Sequence, residues 1–418
     1  MTIAVLILIL LALFGLPLFI VLGAGGLLAS WSSELDPVGL IIEMYRLASQ
    51  PNLIAIPLFT MAGMIMAAGA APQRLIKLFN AMFGWMHGGL SIVTIVACAF
   101  FTAFSGASGV TIIALGGLLY PMLKQAGYNE RFSLGLLTTS GSLGLLFPPS
   151  LAILLYGIVA GVNIDDLFLA GILPGLLLLL MLALYSYRTA AKWDTPRLEF
   201  SFRELASAIR CGIWDILLPV ALTVGIFGGF VTVTEAAAFT AVYALFVEVV
   251  IGKNIKLQRD MPKILLETAS LVGSILVILG VAMGLTNLII DSQLPMQLLS
   301  LLDGRISSQL QFLMLLNIFL LVVGAMMDIF SAIVVVVPLI LPLASRYNVD
   351  PVHLGIIFLA NLEIGYMTPP VGINLFIASQ RFGKSILTLF RSALPFLLIM
   401  LIWLMLISYL PWLTLWWM

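Results

Sequence analysis

The chain repeats its own punctuation at an offset of 221 positions. Pro121 recurs as Pro342, Gly144 as Gly365, Pro148-Pro149 as Pro369-Pro370 and Pro174 as Pro395, all without a gap. The stretches between these marks are apolar in both copies. A Pro-Pro pair inside a helix removes backbone donors and clashes with the preceding turn. Keeping such a break twice, in register, points to a duplicated unit whose helix breaks are used. Duplicated apolar units with Pro/Gly interruptions at matching points are the pattern of secondary transporters.

The solvent is lipid. Of 418 residues, 62% are hydrophobic and 9% charged, with a mean hydropathy of +1.18; a soluble domain carries about 25% charge. Apolar runs such as Thr2–Ala29, Leu167–Tyr187 and Pro395–Leu410 match the ~20 residues a helix needs to cross a bilayer. Roughly ten to twelve such segments or half-segments are expected on that span length. Continuous apolar runs exclude an outer-membrane barrel, which needs short alternating strands. The formal net charge is zero, which gives no basis for nucleic-acid binding. Thr2–Ala29 lacks a positive leader and is read as a retained helix. Cys98 and Cys211 have no metal spacing and read as small buried side chains. His87 and His353 read as interfacial residues near loop ends.

Five regions follow. Residues 1–50 hold the first helix and a more polar surface segment. Residues 51–185 form repeat 1. Residues 186–263 carry two basic connectors around the apolar segments Ile213–Val233 and Glu235–Ile251. Residues 264–401 form repeat 2, and 402–418 an aromatic tail. Lys and Arg concentrate in cytoplasmic loops, so both connectors are expected inside, with two crossings between them. The copies must then be inverted. The contrast between Arg74/Lys77 in one copy and Asp291/Asp303/Arg305 in the other agrees with this.

Four segments interrupt the apolar pattern. Thr102–Thr111, between arms Leu90–Phe101 and Ile112–Leu119, predicts a re-entrant hairpin with its tip at Ser105–Gly109. Its partner is Gly324–Ser331, between arms Phe312–Val323 and Ala332–Leu341, where Asp328 stands in place of Ala107. The other two segments are the breaks Ser140–Ser150 and Asn361–Asn374. Unwound helices free carbonyls for cations, and half-helix N-termini favour anions. Asp328 and Glu363 are functional candidates because an acid inside the membrane is expensive. Small residues in apolar helices also serve close packing, and isolated prolines also kink spanning helices. Asp165-Asp166 reads as a helix N-cap.

These residues resemble those of a known family. Ile56-Pro-Leu-Phe-Thr-Met-Ala-Gly63, Phe104-Ser-Gly-Ala-Ser-Gly109, Phe147-Pro-Pro-Ser150, Asp166-Leu-Phe-Leu-Ala-Gly-Ile-Leu-Pro-Gly175, Met327-Asp328 and Gly365-Tyr-Met-Thr-Pro-Pro-Val-Gly372 are similar to the large membrane subunit of tripartite ATP-independent periplasmic (TRAP) transporters. The resemblance implies an all-α, polytopic, inverted-repeat protein of the bacterial inner membrane, with two re-entrant helical hairpins and two discontinuous helices, working as an elevator. It implies import of an organic acid (a C4-dicarboxylate, 2-oxo acid or sugar acid such as sialic acid) driven by Na⁺. It also implies two partners, a small four-helix membrane subunit and a periplasmic binding protein. By the same resemblance, Ser105, Gly106, Ser108, Gly144, Pro148 and Pro149 belong to a first ion region, with Ser142 and Ser150 beside it. Asp328, Gly365, Thr368, Pro369, Pro370 and Asn374 belong to a second, with Glu363 beside it. Na⁺ itself would be held through Ser105, Ser108, Gly144, Asp328, Gly365 and Thr368, with no other cofactor.

Without the resemblance, the chain offers no GxxxxGK[ST] for ATP. An ion gradient is left as the energy source, worth about 2.3 kcal/mol per charge at 100 mV. A stand-alone ion-coupled anion carrier is the alternative. An intramembrane hydrolase is disfavoured, since neither GxGD nor HExxH occurs.

Overall fold

The computed structural model describes residues 7, 8, 10, 11, 16–32, 37–193, 199–291, 306 and 308–418. Glu34, Asp36, Asp194, Arg197, Asp303 and Arg305, and most of 1–15, lie outside the described residues. Among the described residues all regular structure is helical: α1 Leu18–Ser32, α2 Val38–Ala48, α3 Ala55–Ala68, α4 Ala71–Phe83, α5 Gly89–Ser105, α6 Ser108–Gln125, α7 Glu130–Ser140, α8 Leu151–Ala160, α9 Ile164–Ala190, α10 Phe202–Phe227, α11 Val233–Leu245, α12 Met261–Asp291, α13 Gln309–Met326, α14 Ile329–Arg346, α15 Pro351–Gly365, α16 Ile373–Phe382 and α17 Ile386–Tyr409. Among the described residues, eight helices are long and apolar enough to cross a membrane, while α5, α8 and α15 are shorter.

The duplication is structural. Adding 221 to the bounds of α6 gives those of α14, and the starts of α7 and α15 correspond at the same offset. The caps correspond too. Asn129 accepts from the Arg131 and Phe132 N–H groups, and Asp350, 221 residues on, accepts from those of Val352 and His353. A side-chain oxygen at the N-cap satisfies donors that the helix cannot. Packing between the copies is reciprocal: α6 lies on α16 as α14 lies on α8, and α7 on α17 as α9 on α15. Reciprocal contact of this kind is what a two-fold relation produces.

Hydrogen bonds at both ends orient α3. Near its start Thr234, at the head of α11, donates to the Pro51 carbonyl (3.3 Å). At its end the Ala70 N–H donates to Glu248 (3.2 Å), just beyond α11. Thus α3 and α11 run side by side in one direction. The link 252–260 folds back onto Glu248, whose carbonyl accepts from Asn254 N and Ile255 N. Its successor α12, which contains the counterpart of α3, sets off the opposite way and packs on α3.

A buried ionic cluster ties this frame together. Arg74 of α4 grips Asp215 of α10 through two bonds, Nε–Oδ2 2.6 Å and Nη2–Oδ1 2.8 Å. It also pairs with Glu248, on a π-helical turn over Phe246–Ile251. Asn254 Nδ2 donates to the same carboxylate (2.8 Å). Asp215 and Glu248 are both buried.

Several expectations shift. Helix α10 starts at Phe202, inside the stretch 186–210 read as connector, because Ser201 caps a helix whose first turns are polar. The N-cap of α9 is Asn163, and Asp165 and Asp166 occupy its first turn. Cys211 is exposed, although Cys98 is buried. His353 is buried, with Nδ1 2.6 Å from the Thr414 hydroxyl. Helix α17 continues through residue 402 to Tyr409.

Arg74→Ala strands two buried carboxylates, a change that costs about 3–5 kcal/mol. Thermal unfolding in detergent should show a large drop for this variant and a small one for Arg259→Ala, whose side chain is 81% exposed.

Candidate functional site

Helices α5 and α6 form a hairpin joined by two residues only. Gly106 turns the chain in the left-handed region (φ 66°), and Ala107 is extended. A Cβ at Gly106 would strike Leu151, so the turn needs glycine for both conformation and space. In the second copy, Met327 and Asp328 are extended and join α13 to α14. The helical arms therefore reach closer to both tips than the apolar pattern indicates.

The breaks pack onto these tips. After α7 the chain descends through tight i→i−3 bonds (Leu145 N to Ser142 O, Phe147 N to Gly144 O, Ser150 N to Phe147 O) to a cis Pro148-Pro149 bond and α8. After α15, cis Pro369-Pro370 leads into α16. There Val371 N and Gly372 N donate to the Ala325 carbonyl of the second hairpin (3.1 and 3.3 Å). A Cβ at Gly144 would meet the backbone of Ala99 and Ala103; one at Gly365 would meet Gly324. Each break thus lies backbone-to-backbone on its own hairpin.

Across the copies, Ser108 Oγ donates to Asn374 Oδ1 (2.7 Å); within the second copy, the Ile329 N–H donates to the Tyr366 hydroxyl (2.7 Å). Behind the first tip, Thr102 and Thr111 share a hydrogen bond (2.7 Å). Thr102 also lies 2.8 Å from the Gly141 carbonyl, and Ser105 lies 3.4 Å from Thr111. Asp328 caps α14 through Ser331 N (3.0 Å) and also accepts from the Ser331 hydroxyl.

A cavity of about 510 Å³ lies between the tips. Gly106 to Gly109, Asp328 to Phe330, Tyr366, Ile373 and Ile377 line it, and α12 closes it with Leu271, Ser274, Ile275 and Ile278. Three helix N-termini meet there. Those of α6 and α16 have no side-chain cap, whereas Asp328 caps α14. At α16 the Gly372 and Asn374 N–H groups already donate to the Ala325 and Tyr366 carbonyls, so the start of α6 is the end whose N–H groups and partial positive charge attract an anion. The oxygens of Ser105, Thr102, Thr111 and Asp328 are hard donors that suit Na⁺ better than a soft metal.

Of the residues singled out from sequence, Gly106, Ser108 and Asp328 line the cavity, and Asn374 supports it through Ser108. Ser105 is buried behind the tip. Thr368 is half-buried and bonds back to the Ile364 carbonyl (3.1 Å), while Pro369 and Pro370 are exposed. Pro148 lines a different, apolar crevice of about 290 Å³, where Phe100, Phe104 and Phe147 face Pro219, Thr223 and Phe227 of α10. Pro149 stands beside it in the chain, and Ser150 is buried. Glu363 is fully buried away from the cavity, and neither carboxylate oxygen has a hydrogen-bond partner among the described residues. Ser142, its counterpart at the same offset, faces it but donates to the Thr139 carbonyl (3.3 Å). Sequence reasoning missed Tyr366 and the α12 wall. Tyr366 follows Gly365 directly, so position beside a break was the available signal.

Paired hairpins locked onto paired broken helices around a shared cavity, in a bundle of membrane-length helices, define a membrane transport protein. The family model "Tripartite ATP-independent periplasmic transporter, DctM component" matches residues 5–413. The chain belongs to this family and is a multi-pass protein of the bacterial inner membrane. It is 36% identical over 392 residues to the C4-dicarboxylate TRAP transporter large permease protein of Pseudomonas aeruginosa, covering 93% of this chain and 92% of that one. It is 33% identical to the isethionate TRAP transporter permease protein DctMQ of Oleidesulfovibrio alaskensis (95% of this chain, 63% of that one). The ectoine/5-hydroxyectoine large permease protein of Ruegeria pomeroyi is 32% identical (94% and 92%). The crystal structure of the Alcanivorax borkumensis YdaH transporter shares the fold, with TM-score 0.62 at 15% identity, over 90% of this chain and 88% of that chain.

Gly365→Ala forces two backbones apart and should cost about 1–3 kcal/mol. Gly273→Ala, where a Cβ meets nothing within 4 Å, should be neutral or stabilising because helical alanine is favoured. Unfolding temperatures in detergent should separate the two.

Proposed function

We propose that this chain is the translocating subunit of a Na⁺-coupled importer of a small organic acid. The carrying observation is the cavity where both hairpin tips and the start of α16 converge. The acid group sits at the uncapped end of α6. Sodium ions lie behind it, one at the hydroxyl tip (Ser105, Ser108, with the Gly144 backbone) and one at the acid tip (Asp328, with Gly365 and Thr368). Bound cations supply positive charge that a fixed Arg could carry through lipid only at high cost.

The opposed courses of α3 and α12 support reading the copies as inverted across the bilayer, with both hairpins re-entrant. The two interlocked hairpin–break units form one body. Helices α10 and α11, braced by Arg74, form another, and the apolar crevice beside α10 is a seam along which the first body slides as an elevator. A small membrane subunit and a periplasmic binding protein complete the importer; the isethionate relative DctMQ, of which this chain covers 63%, favours this over a stand-alone carrier. Relatives at similar distance name different substrates, so the particular acid is set outside the features they share.

Asp328→Asn keeps an N-cap of equal quality but removes the charge. Sodium-driven uptake of a C4-dicarboxylate or another acid into proteoliposomes holding both partners should fall to background while the unfolding temperature holds. Sodium-dependent uptake at the unmodified rate would refute the cation role of Asp328, and uptake without the binding protein would favour the stand-alone carrier.

A further inference from the structure

A second polar cavity, of about 560 Å³, opens between α4 and the head of α10. Lys77 and Asn80 line one wall; Ser201, Arg203, Glu204 and Ser207 line the other. None of these belongs to either hairpin tip, so the cavity is separate from the transport site. Neither Lys77 nor Arg203 has an ion-pair partner among the described residues. Two cations on facing walls outnumber the one lining carboxylate, Glu204, and leave the cavity net positive toward an anion.

The surroundings specify which anion. Trp85, Phe200 and Phe202 form an exposed chain of edge-to-face rings beside the cavity, with centroids 6.1 and 4.9 Å apart. Phe202 is 78% exposed. Exposed aromatic rings of this kind belong at the headgroup level of a bilayer. Below them α10 carries Ile209, Ile213, Leu217, Val220 and Val224, all exposed, at the spacing of a single helix face. Arg188 in the last turn of α9, Lys192 just beyond it, and Arg203 and Arg210 in the first three turns of α10 make this end basic, which places it on the cytoplasmic side.

We propose that this cavity seats the phosphate headgroup of an anionic phospholipid, with its acyl chains along the apolar face of α10. Lys77 and Arg203 bind the phosphate from opposite walls, and the aromatic cluster fixes the depth. Free phosphate shares the headgroup chemistry but has no use for the rings or the apolar face. The occupied site would bridge α4 to α10 on the surface above the buried Arg74–Asp215 pair.

The test uses the purified full chain, delipidated in detergent, with binding read by native mass spectrometry and unfolding temperature. Phosphatidylglycerol should bind and raise the unfolding temperature, whereas phosphatidylcholine of the same chain length should not. Lys77→Ser/Arg203→Ser should weaken phosphatidylglycerol binding roughly 30-fold, taking about 1 kcal/mol per basic residue near an anionic lipid. Both side chains are exposed, so the lipid-free unfolding temperature should hold. Should it fall, the single changes Lys77→Gln and Arg203→Gln carry the measurement. Lys124→Ser/Arg131→Ser, with the same loss of charge elsewhere, should bind as the unmodified chain does. Equal binding of phosphatidylcholine, equal stabilisation by inorganic phosphate, or undiminished binding in the Lys77/Arg203 variant would each overturn the assignment.

Discussion

A helix broken inside lipid exposes backbone groups that water cannot satisfy, and each unsatisfied group costs several kcal/mol. Everything near the cavity answers that constraint. The second break donates Val371 N and Gly372 N to the Ala325 carbonyl of its hairpin. The first is held by its own tight turns and lies against α5 at Gly144. Such contact needs glycine where backbones touch, which explains why Gly144 and Gly365 recur at the repeat offset. Packing suffices as a reason for both glycines, independently of any ion their carbonyls hold.

The duplication was legible because Pro and Gly leave marks that lipid does not blur. Helix starts were legible in principle through Asn129 and Asp350, whose caps repeat at the same offset. Helix ends near the tips were not. Ser, Gly and Thr look like turn formers, yet Thr102 and Ser105 are helical because their hydroxyls find partners inside the hairpin. The start of α10 was hidden for the opposite reason, since a polar first turn reads as a loop until Ser201 is seen to cap it.

The candidate site was legible to the extent that it depends on local sequence. Gly106, Ser108 and Asp328 stand at tips, and tips meet wherever two such units interlock. Tertiary placement decided the rest. Pro148 faces an apolar crevice because its break turns outward toward α10, and Glu363 is turned inward toward Ser142. The α12 wall carries no local signal, since Ser274 among leucines and isoleucines looks like any lipid-facing helix until the fold brings it to the cavity.

Symmetry in the frame and asymmetry in the chemistry divide the labour. Ala107 and Asp328 occupy equivalent positions, yet one leaves its helix uncapped and the other supplies a carboxylate that caps it. An uncapped N-terminus favours negative charge, and a carboxylate favours positive charge. Two turns at equivalent positions therefore offer one end to an anion and the other to a cation, within a single cavity of about 510 Å³. Binding either charge alone there leaves the opposite one unmatched in a medium of low dielectric. On the proposed reading, this is why one site takes an acid and sodium together, and why the duplicated fold loses its symmetry at both turn residues, Gly106-Ala107 against Met327-Asp328.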